Sequence, residues 1–222
     1  MNNNIPVIAV DGPSASGKGT VAQLVADALG FGYLDSGALY RVVAFAAKQN
    51  NIAWSDAEAV AACAKTLDIQ FKNDRVYLNG GDISEQIRTE EMGKGASQVA
   101  VHASLRAALI DLQHHFRKAP GLVADGRDMG TVIFPDAELK IFLTASTKTR
   151  AERRYKQLLG KGLSANYENI LLDLQERDAR DKGRASAPLV MAADAILLET
   201  DNLTIAEAVN TVLQNFSHKK TE

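Results

Sequence analysis

The ten residues Asp11–Thr20, which read DGPSASGKGT, constrain the fold of this chain most strongly. They follow a short apolar run, Ile5–Val10, of the length that a buried strand has. The residues after them have the spacing of one face of an amphipathic helix, with apolar side chains at Val21, Leu24, Val25, Ala28 and Leu29. The sequence therefore predicts a glycine-rich loop that joins a buried strand to a helix.

The spacing Gly12-x-x-x-x-Gly17-Lys18 is that of a phosphate-binding loop. Glycines allow successive backbone N–H groups to point at one anion, and the helix that follows adds its positive N-terminal end. Lys18 can reach the β- and γ-phosphates of a nucleotide, and a hydroxyl from Thr20 or Ser16 could meet a magnesium ion. A plain glycine-rich turn is the alternative. The residues that we expect around the phosphates are Gly12, Pro13, Ser14, Ala15, Ser16, Gly17, Lys18, Gly19 and Thr20.

The rest of the chain predicts an α/β fold. Five apolar runs indicate buried parallel strands with helices on both faces of the sheet, at Ile5–Val10, Gly32–Leu34, Leu122–Ala124, Leu139–Leu143 and Ala195–Leu198. More than eighty residues separate the second and third runs, which predicts an inserted subdomain. Within it, IQFKNDRVYLNGGDI alternates as two or three antiparallel strands do, and residues 97–118 show one helical stripe.

Composition excludes several classes of protein. The chain has 222 residues, a net charge of −2 and one cysteine, Cys63, which rules out an internal disulfide. Its N-terminal apolar run is too short for a signal peptide core or a membrane span. We expect a cytoplasmic monomer that binds neither membrane nor nucleic acid.

Positive charge is concentrated between Lys148 and Arg184, where ten basic and six acidic side chains give +4. Two solvated helices with ion pairs would explain part of it. The cluster RDARDKGR suits that explanation less well, because it runs into Gly183 and leaves the helix. Arginines on a mobile hairpin that faces a phosphate loop are typical of a lid that excludes water from a transferring phosphoryl group.

Two further motifs stand where predicted strands end. Asp35-Ser36-Gly37 follows the second strand, and Asp125-Gly126-Arg127-Asp128 follows the third. Ligands of open α/β sheets bind outside the carboxyl ends of the strands, so both motifs should face the phosphate loop. A helix N-cap is the alternative for Asp35 and Ser36, and an ion pair is the alternative for Arg127 and Asp128.

Four segments together, DGPSASGKGT, LDSGALYR, ADGRDMGTVIFPDA and RDARDKGRASAP, closely resemble the bacterial cytidylate kinases of the nucleoside monophosphate kinase group of P-loop kinases. The resemblance runs through essentially the whole chain. It implies transfer of the γ-phosphate of ATP to CMP or dCMP, giving CDP or dCDP. It also implies a doubly wound five-stranded parallel sheet, an inserted NMP-binding subdomain with a small antiparallel sheet, and a helical lid. We expect the core at 1–35, 119–147 and 187–222, the insert at 36–118 and the lid at 148–186.

The resemblance implies roles for individual residues. The CMP phosphate would be held by Ser36, Arg41, Arg127 and Arg184, with Arg177 assisting. Cytosine would be read by Ser97, Arg106 and Asp128, and the sugar hydroxyls would be held by Asp181. The groups that act in catalysis would be Lys18, Arg127, Arg177 and Arg184. Mg²⁺ would be bound by Thr20 together with the ATP phosphates, and by Asp125 through water.

These residue types suit in-line phosphoryl transfer without a general base, because the acceptor is itself a largely ionised phosphate. Three other functions stay open from the residues alone. One is a kinase for another small acceptor, such as AMP, UMP or shikimate. The second is a GTP-dependent switch, although the chain has no Asn-Lys-x-Asp element. The third is a nucleic-acid-binding module that uses the basic hairpin, which the net acidity disfavours.

Overall fold

The computed structural model describes residues 5–72 and 75–219. The strands, numbered in chain order, are β1 (Val7–Asp11), β2 (Gly32–Asp35), β3 (Ile69–Lys72), β4 (Arg75–Leu78), β5 (Gly81–Asp82), β6 (Leu122–Gly126), β7 (Leu139–Thr144) and β8 (Ile196–Glu199). The α-helices are α1 (Lys18–Leu29), α2 (Ser36–Gln49), α3 (Ala57–Ala64), α4 (Glu90–Val99), α5 (Ala103–His114), α6 (Thr147–Gly160), α7 (Tyr167–Lys182) and α8 (Ile205–Lys219). A 3-10 turn spans Gln86–Arg88 and a π-helical turn spans Met129–Ile133.

The chain divides into two compact units. The first contains the described residues up to Leu34 and those from Phe116 onward, and the second is Asp35–His115.

A five-stranded sheet organises the first unit, with the strand order β2-β6-β1-β7-β8. The central strand β1 pairs in parallel with β6 and with β7, and β7 pairs in parallel with β8. Each of the five apolar runs overlaps one strand of this sheet, so the predicted parallel sheet is confirmed. Because the strands are parallel, the loops after β1 and β6 leave the same edge of the sheet, with Asp11 in register with Gly126.

Helix α1 packs on this sheet with a face that only partly matches the predicted one: Val21 and Val25 are buried as expected, whereas Leu24 is exposed. Its buried residues are Val21, Ala22, Val25 and Ala26, and they join the side chains of β1, β6 and β7 in one core. Helix α8 adds Ala208, Val212 and Phe216 to the same core. The rings of Phe31 and Phe216 meet edge to face at 5.8 Å. This core fixes the strand ends that carry the site.

Helices α6 and α7 form a hairpin after β7. The Ser146 hydroxyl accepts a bond from Thr149 N at 3.2 Å and begins α6, and the Asn166 side chain accepts from Asn169 N at 2.8 Å and begins α7. The rings of Tyr155 and Tyr167 pack edge to face across the two helices at 6.3 Å. Most of the positive segment 148–184 is therefore carried on two packed helices.

The second unit contains the predicted antiparallel strands. β3, β4 and β5 form a three-stranded sheet in that order, and positions 73 and 74 of the predicted hairpin lie outside the described residues. Helices α2, α3, α4 and α5 supply its main core, which contains Val43, Val60, Val99 and Leu105. The small sheet is thus confirmed where the structure describes it.

The prediction of one helix over 97–118 was wrong. Helix α4 ends at Val99 and α5 begins at Ala103. Between them His102 is extended, and its ring Nε2 bonds to the Trp54 carbonyl oxygen at 2.7 Å. This tertiary bond interrupts a pattern that is apolar enough for a continuous helix.

Across residues 5–72 and 75–219, no helix is both long and apolar enough to cross a membrane.

Candidate functional site

The loop between β1 and α1 passes close to the end of β7. A Cβ on Gly12 would lie 2.0 Å from the Leu143 carbonyl oxygen, so no larger residue fits there without moving the loop. Helix α1 starts at Lys18 after Gly17, with no side-chain cap and no acidic residue in its first turn. Because no side chain caps this helix start, its first N–H groups could bind an anion.

The buried hydroxyl group of Ser16 is a second notable feature of this loop. The residue is 1% exposed, and its hydroxyl oxygen has no hydrogen-bond partner among the residues that the structure describes. A buried hydroxyl is normally bonded, so an unsatisfied one is explained by a ligand that belongs there. A phosphate oxygen or a bound cation would satisfy it.

Two arginines of α6 hold the backbone of the loop. Arg150 donates to the Ser14 carbonyl oxygen at 3.0 Å, and Arg153 donates to the Ser16 carbonyl oxygen at 3.2 Å. Arg153 also donates to the Thr200 hydroxyl and carbonyl oxygens, at 3.0 and 2.5 Å. Because a carbonyl oxygen repels a phosphate, engaging two of them with guanidinium groups favours an anion in the loop.

The residue after Lys18 is a glycine for a steric reason. A Cβ on Gly19 would lie 2.9 Å from Oδ2 of Asp125 and 3.4 Å from the Tyr33 hydroxyl. That hydroxyl donates to the same Asp125 oxygen at 2.8 Å, and Asp125 is 4% exposed. The glycine makes room for a carboxylate beside the phosphate loop.

These oxygen donors fit a magnesium ion that is bound together with nucleotide phosphates. Carboxylate and hydroxyl oxygens are the protein ligands that Mg²⁺ takes, usually with several waters. The Asp125 carboxylate stands beside Gly19, and Thr20 is exposed at the start of α1. The buried hydroxyl of Ser16 is a further oxygen in the same loop.

Asp181, on the last turn of α7, is the centre of an ionic cluster. Arg127 donates to Oδ2 of Asp181 at 2.7 Å, and Arg184 donates to Oδ1. Burial opposes the charge of Asp181, but Arg127, Arg184 and Lys18 outweigh it and hold the pKa of the carboxyl below its usual value. The cluster is therefore ionised at neutral pH and brings three predicted catalytic cations to one carboxylate.

Arg127 also reaches the phosphate loop. Its Nη2 donates to the Ser14 hydroxyl at 2.8 Å, and its Nη1 donates to the Gly126 carbonyl oxygen at 3.2 Å. Burial disfavours its charge, yet Asp181, together with Asp125 and Asp11, more than offsets this and raises the pKa of the guanidinium. Arg127 thus forms an ion pair with Asp181. Asp128 is 3% exposed.

Arg177 and Arg154 extend this positive region. Burial lowers the pKa of the Arg177 guanidinium, and the nearby Arg127 and Arg180 add to the effect. Burial likewise lowers the pKa of Arg154, and the charge of Arg177 contributes. Cations that disfavour one another in this way are stabilised by an anion between them. Arg154 was not singled out from the sequence.

In the second unit, Ser36 and Gln113 form a buried pair. The Ser36 hydroxyl donates to Oε1 of Gln113 at 2.8 Å, and the two residues are 3% and 0% exposed. The preceding Asp35 caps α2 by accepting from Ala38 N at 2.9 Å. Capping thus explains Asp35, while Ser36 has a separate role inside the unit.

The other predicted residues of this unit lie on α2, α4 and α5. Arg41 donates to the carbonyl oxygens of Ile87 and Thr89 at 3.0 and 3.1 Å. Arg106, which is 5% exposed, donates to the Ala100 carbonyl oxygen at 3.4 Å and stacks over the Tyr40 ring at 5.9 Å. Ala100 is the C-cap of α4, and this helix carries the half-buried Ser97 one turn earlier. A buried guanidinium over an aromatic ring is a rigid donor.

The chain matches the family model for cytidylate kinase over residues 8–218. The chain belongs to the cytidylate kinase family. The cytidylate kinase of Cupriavidus necator is 58% identical over 213 residues, which cover 96% of each chain. The cytidylate kinase of Burkholderia pseudomallei strain K96243 is 60% identical over 208 residues, 94% of this chain and 91% of that one. As a cytidylate kinase family member the chain is an enzyme, a nucleotide-binding phosphotransferase.

A solved structure resembles the fold of this cytidylate kinase family member at much lower identity. It is an uncharacterized protein from Eubacterium ventriosum, with a TM-score of 0.53 and 11% identity over 96% of this chain and 98% of that one. At that identity the likeness shows the fold alone.

Sequence reasoning missed several residues of the site. Arg150 and Arg153 were counted as charges only, although their spacing puts both on the first turns of the helix after β7. Asp11 was treated as the first residue of the loop and given no role. Gln113 gave no signal, since one amide in a helix is ordinary until its burial is known.

Proposed function

We propose that this chain transfers the γ-phosphate of ATP to CMP or dCMP and releases ADP with CDP or dCDP. The family supports a cytidine acceptor. The observation that carries the chemistry is the cluster of Lys18, Arg127 and Arg184 around the buried Asp181, next to an uncapped phosphate loop. Such a cluster can neutralise charge on a transferring phosphoryl group.

The reaction needs alignment more than proton transfer. The acceptor is a phosphate monoester whose second pKa is about 6, so it is largely ionised at neutral pH and needs no general base. Its oxygen attacks the γ-phosphorus in line, and the bond from that phosphorus to the β-γ bridging oxygen breaks. Lys18 and the arginines Arg127, Arg177 and Arg184 hold the negative oxygens and stabilise the charge that spreads over them.

Mg²⁺ is the implied cofactor. It would be held by the ATP phosphates with the Thr20 hydroxyl, and by Asp125 through water, and it would neutralise phosphate charge during transfer. The position of the Asp125 carboxylate beside Gly19 supports this set. Asp125 itself is kept in place by its bond from Tyr33.

Acceptor binding would follow the roles that the family resemblance implies. Ser36, Arg41, Arg127 and Arg184 would bind the CMP phosphate, as the family resemblance implies. Asp128 would accept a bond from the cytosine N4 amino group, while Arg106 and Ser97 would donate to O2 and N3. Uracil reverses the donor pattern at two of these positions, so UMP would leave buried polar groups unpaired. Asp181 would also bind the sugar hydroxyls.

The α6–α7 hairpin would act as the lid and residues 36–118 as the NMP-binding insert. Burial lowers the pKa of both Arg154 and Arg177, and the charge of Arg177 adds to the effect on Arg154, which supports closure of the hairpin on an anion. We propose that the enzyme works as a monomer.

A panel of acceptors tests this function. Purified protein with MgATP is supplied with CMP, dCMP, UMP, AMP or shikimate, and diphosphate formation is measured beside ADP release. We expect CMP and dCMP to be phosphorylated, with UMP slower and AMP and shikimate unused, and EDTA to abolish turnover. Lys18→Ala, which removes the loop cation, should lower turnover strongly. Brisk phosphorylation of another compound with CMP and dCMP untouched would refute the proposal.

A further inference from the structure

Asp11 joins the phosphate loop to the turn that follows β6. It is the last residue of β1, it is 5% exposed, and its two carboxylate oxygens accept from the backbone N–H groups of Met129 and Gly130, each at 2.8 Å. One side chain thus bonds the start of the loop to two residues that are 118 and 119 positions away in the chain.

The turn that receives these bonds is unusual. Met129–Ile133 is π-helical, with Ile133 N and Phe134 N donating to carbonyl oxygens five residues earlier, those of Asp128 and Met129. The first N–H groups of any helical turn have no partner within it, and Asp128, which precedes this one, gives no side-chain cap. The Asp11 carboxylate supplies the missing partner for two of them. π-Helical turns occur preferentially at functional sites, where a segment must be held in one shape.

The residues just before the turn are those that the proposed function assigns to the acceptor. Arg127 and Asp128 directly precede Met129, and Arg127 reaches the Ser14 hydroxyl of the phosphate loop at 2.8 Å. The space around the turn is small, since a Cβ on Gly130 would lie 3.1 Å from Cδ of Lys140 and 3.4 Å from Oδ2 of Asp11. The turn beside Asp128 is therefore bonded by Asp11 and packs closely against the Lys140 side chain.

We propose that Asp11 is a positioning residue for acceptor recognition: its carboxylate fixes the Met129–Gly130 backbone and thereby sets the position of Arg127 and Asp128 relative to the phosphate loop. The proposal rests on the proposed function, because it concerns how the cytidine-reading side chain is aimed. Asp11 touches no substrate in this account and acts through the two residues that do.

A carboxylate suits this position because it has two acceptor oxygens for the two backbone N–H groups. Asparagine has the same shape but one acceptor oxygen, and its amide group would face a backbone N–H, donor against donor. Asp11→Asn therefore removes one of the two hydrogen bonds to the turn while it leaves the size of the side chain unchanged. A displacement of the turn by a fraction of an ångström would misplace Asp128 against the base.

The test compares Asp11→Asn with wild type in steady-state kinetics with CMP, UMP and ATP. We expect the KM for CMP to rise about tenfold and the preference for CMP over UMP to fall by a similar factor, while the KM for ATP changes less than about threefold. Asp56→Asn is the matched control, since Asp56 also bonds a backbone N–H, that of Ala59 at 3.0 Å, and caps α3 in the other unit. It should leave all three values unchanged.

A purely structural role would lower the active fraction, so kcat would fall equally for every substrate with each KM unchanged, and that outcome overturns the proposal. Unchanged kinetics overturns it too.

If Asp11→Asn yields no folded protein, Gly130→Ala decides, since its added Cβ crowds the Asp11 carboxylate without removing it. A raised KM for CMP with unchanged KM for ATP then supports the proposal, and wild-type values refute it. Wild-type phosphorylation of CMP is measured first, so failure of the function itself is seen separately.

Discussion

Arg150 donates to both carboxylate oxygens of Asp178, at 3.1 and 2.5 Å, and so ties the first turns of α6 to the last turns of α7. The same guanidinium donates to the Ser14 carbonyl oxygen of the phosphate loop. Arg150 is 3% exposed. One buried side chain therefore links the two helices of the hairpin to the predicted phosphate loop.

Arg150→Ala should weaken both stability and donor binding. It leaves the Asp178 carboxylate without its buried partner, which costs about 3 kcal/mol in the free energy of unfolding. It also releases the Ser14 carbonyl oxygen, so we expect the KM for ATP to rise about tenfold. Chemical denaturation and steady-state kinetics measure the two effects.

Two further variants separate the causes of this effect. Lys148→Ala removes an exposed charge from the same helix and should change neither quantity. The double variant Arg150→Met with Asp178→Asn leaves no charge unpaired. Most of the free energy of unfolding that Arg150→Ala loses should therefore return, while the KM for ATP stays high. Recovery of both together would mean that Arg150 serves stability alone.

The sheet could be predicted from sequence because its signals are local. Each strand overlaps a short apolar run, and α1 buries Val21 and Val25 of the predicted stripe while it leaves Leu24 exposed. The break between α4 and α5 could not be predicted, since it depends on a bond from His102 to the Trp54 carbonyl oxygen, 48 residues away. Strand ends differed by one or two residues, as at β1, where polar Asp11 is still in the sheet.

Spacing alone predicts which loop residues would surround a phosphate, because the chemistry of an anion cradle fixes where glycine and lysine stand. The partners that shape the loop could not be predicted in this way. Arg150 and Arg153 bond to its carbonyl oxygens from 136 and 137 residues away, and Asp125 reaches Gly19 from the end of another strand. A basic residue in a helix looks the same in sequence whether it is solvated or bonded to a buried carbonyl oxygen.

Gly19→Ala should impair the use of MgATP. The added Cβ would stand 2.9 Å from Oδ2 of Asp125, a contact that forces the carboxylate or the loop to move. We expect kcat/KM for ATP to fall at least about tenfold, and the Mg²⁺ concentration needed for half-maximal rate to increase. A Mg²⁺ titration at fixed ATP measures both.

Gly160→Ala is the matched control for that substitution. Gly160 ends α6, and its added Cβ would meet no atom within 4 Å among the described parts of the chain. Its kinetics should equal those of the wild type. If Gly19→Ala also behaves like wild type, Asp125 has no part in handling the metal-bound donor.

Asp128→Asn should shift the choice of base. Cytosine offers a donor at N4, which a carboxylate accepts, whereas uracil offers an acceptor at O4, to which an asparagine amide can donate. We expect the ratio of kcat/KM for CMP over UMP to fall about tenfold or more. Asp27→Asn, at an exposed position of α1, should keep the wild-type ratio. An unaltered ratio with a lowered melting temperature would show that Asp128 is structural.

Asp11 should make stability depend on pH in a recognisable direction. Burial raises the pKa of Asp11 from 3.8 to about 6, with the nearby Asp128 carboxylate adding to the rise and the Gly130 and Met129 N–H groups and Arg127 opposing it. The folded protein therefore binds this proton more tightly than the unfolded chain, and the stability gained in this way is complete below pH 4 and lost as pH rises through 6. A pKa change of that size corresponds to about 3 kcal/mol.

The measurement is the free energy of unfolding of the wild type minus that of Asp11→Asn, from denaturant titrations at several pH values. This difference should decrease by up to about 3 kcal/mol between pH 4 and pH 7. A difference that stays flat or increases with pH would mean that Asp11 ionises without cost, with its two backbone bonds outweighing its burial.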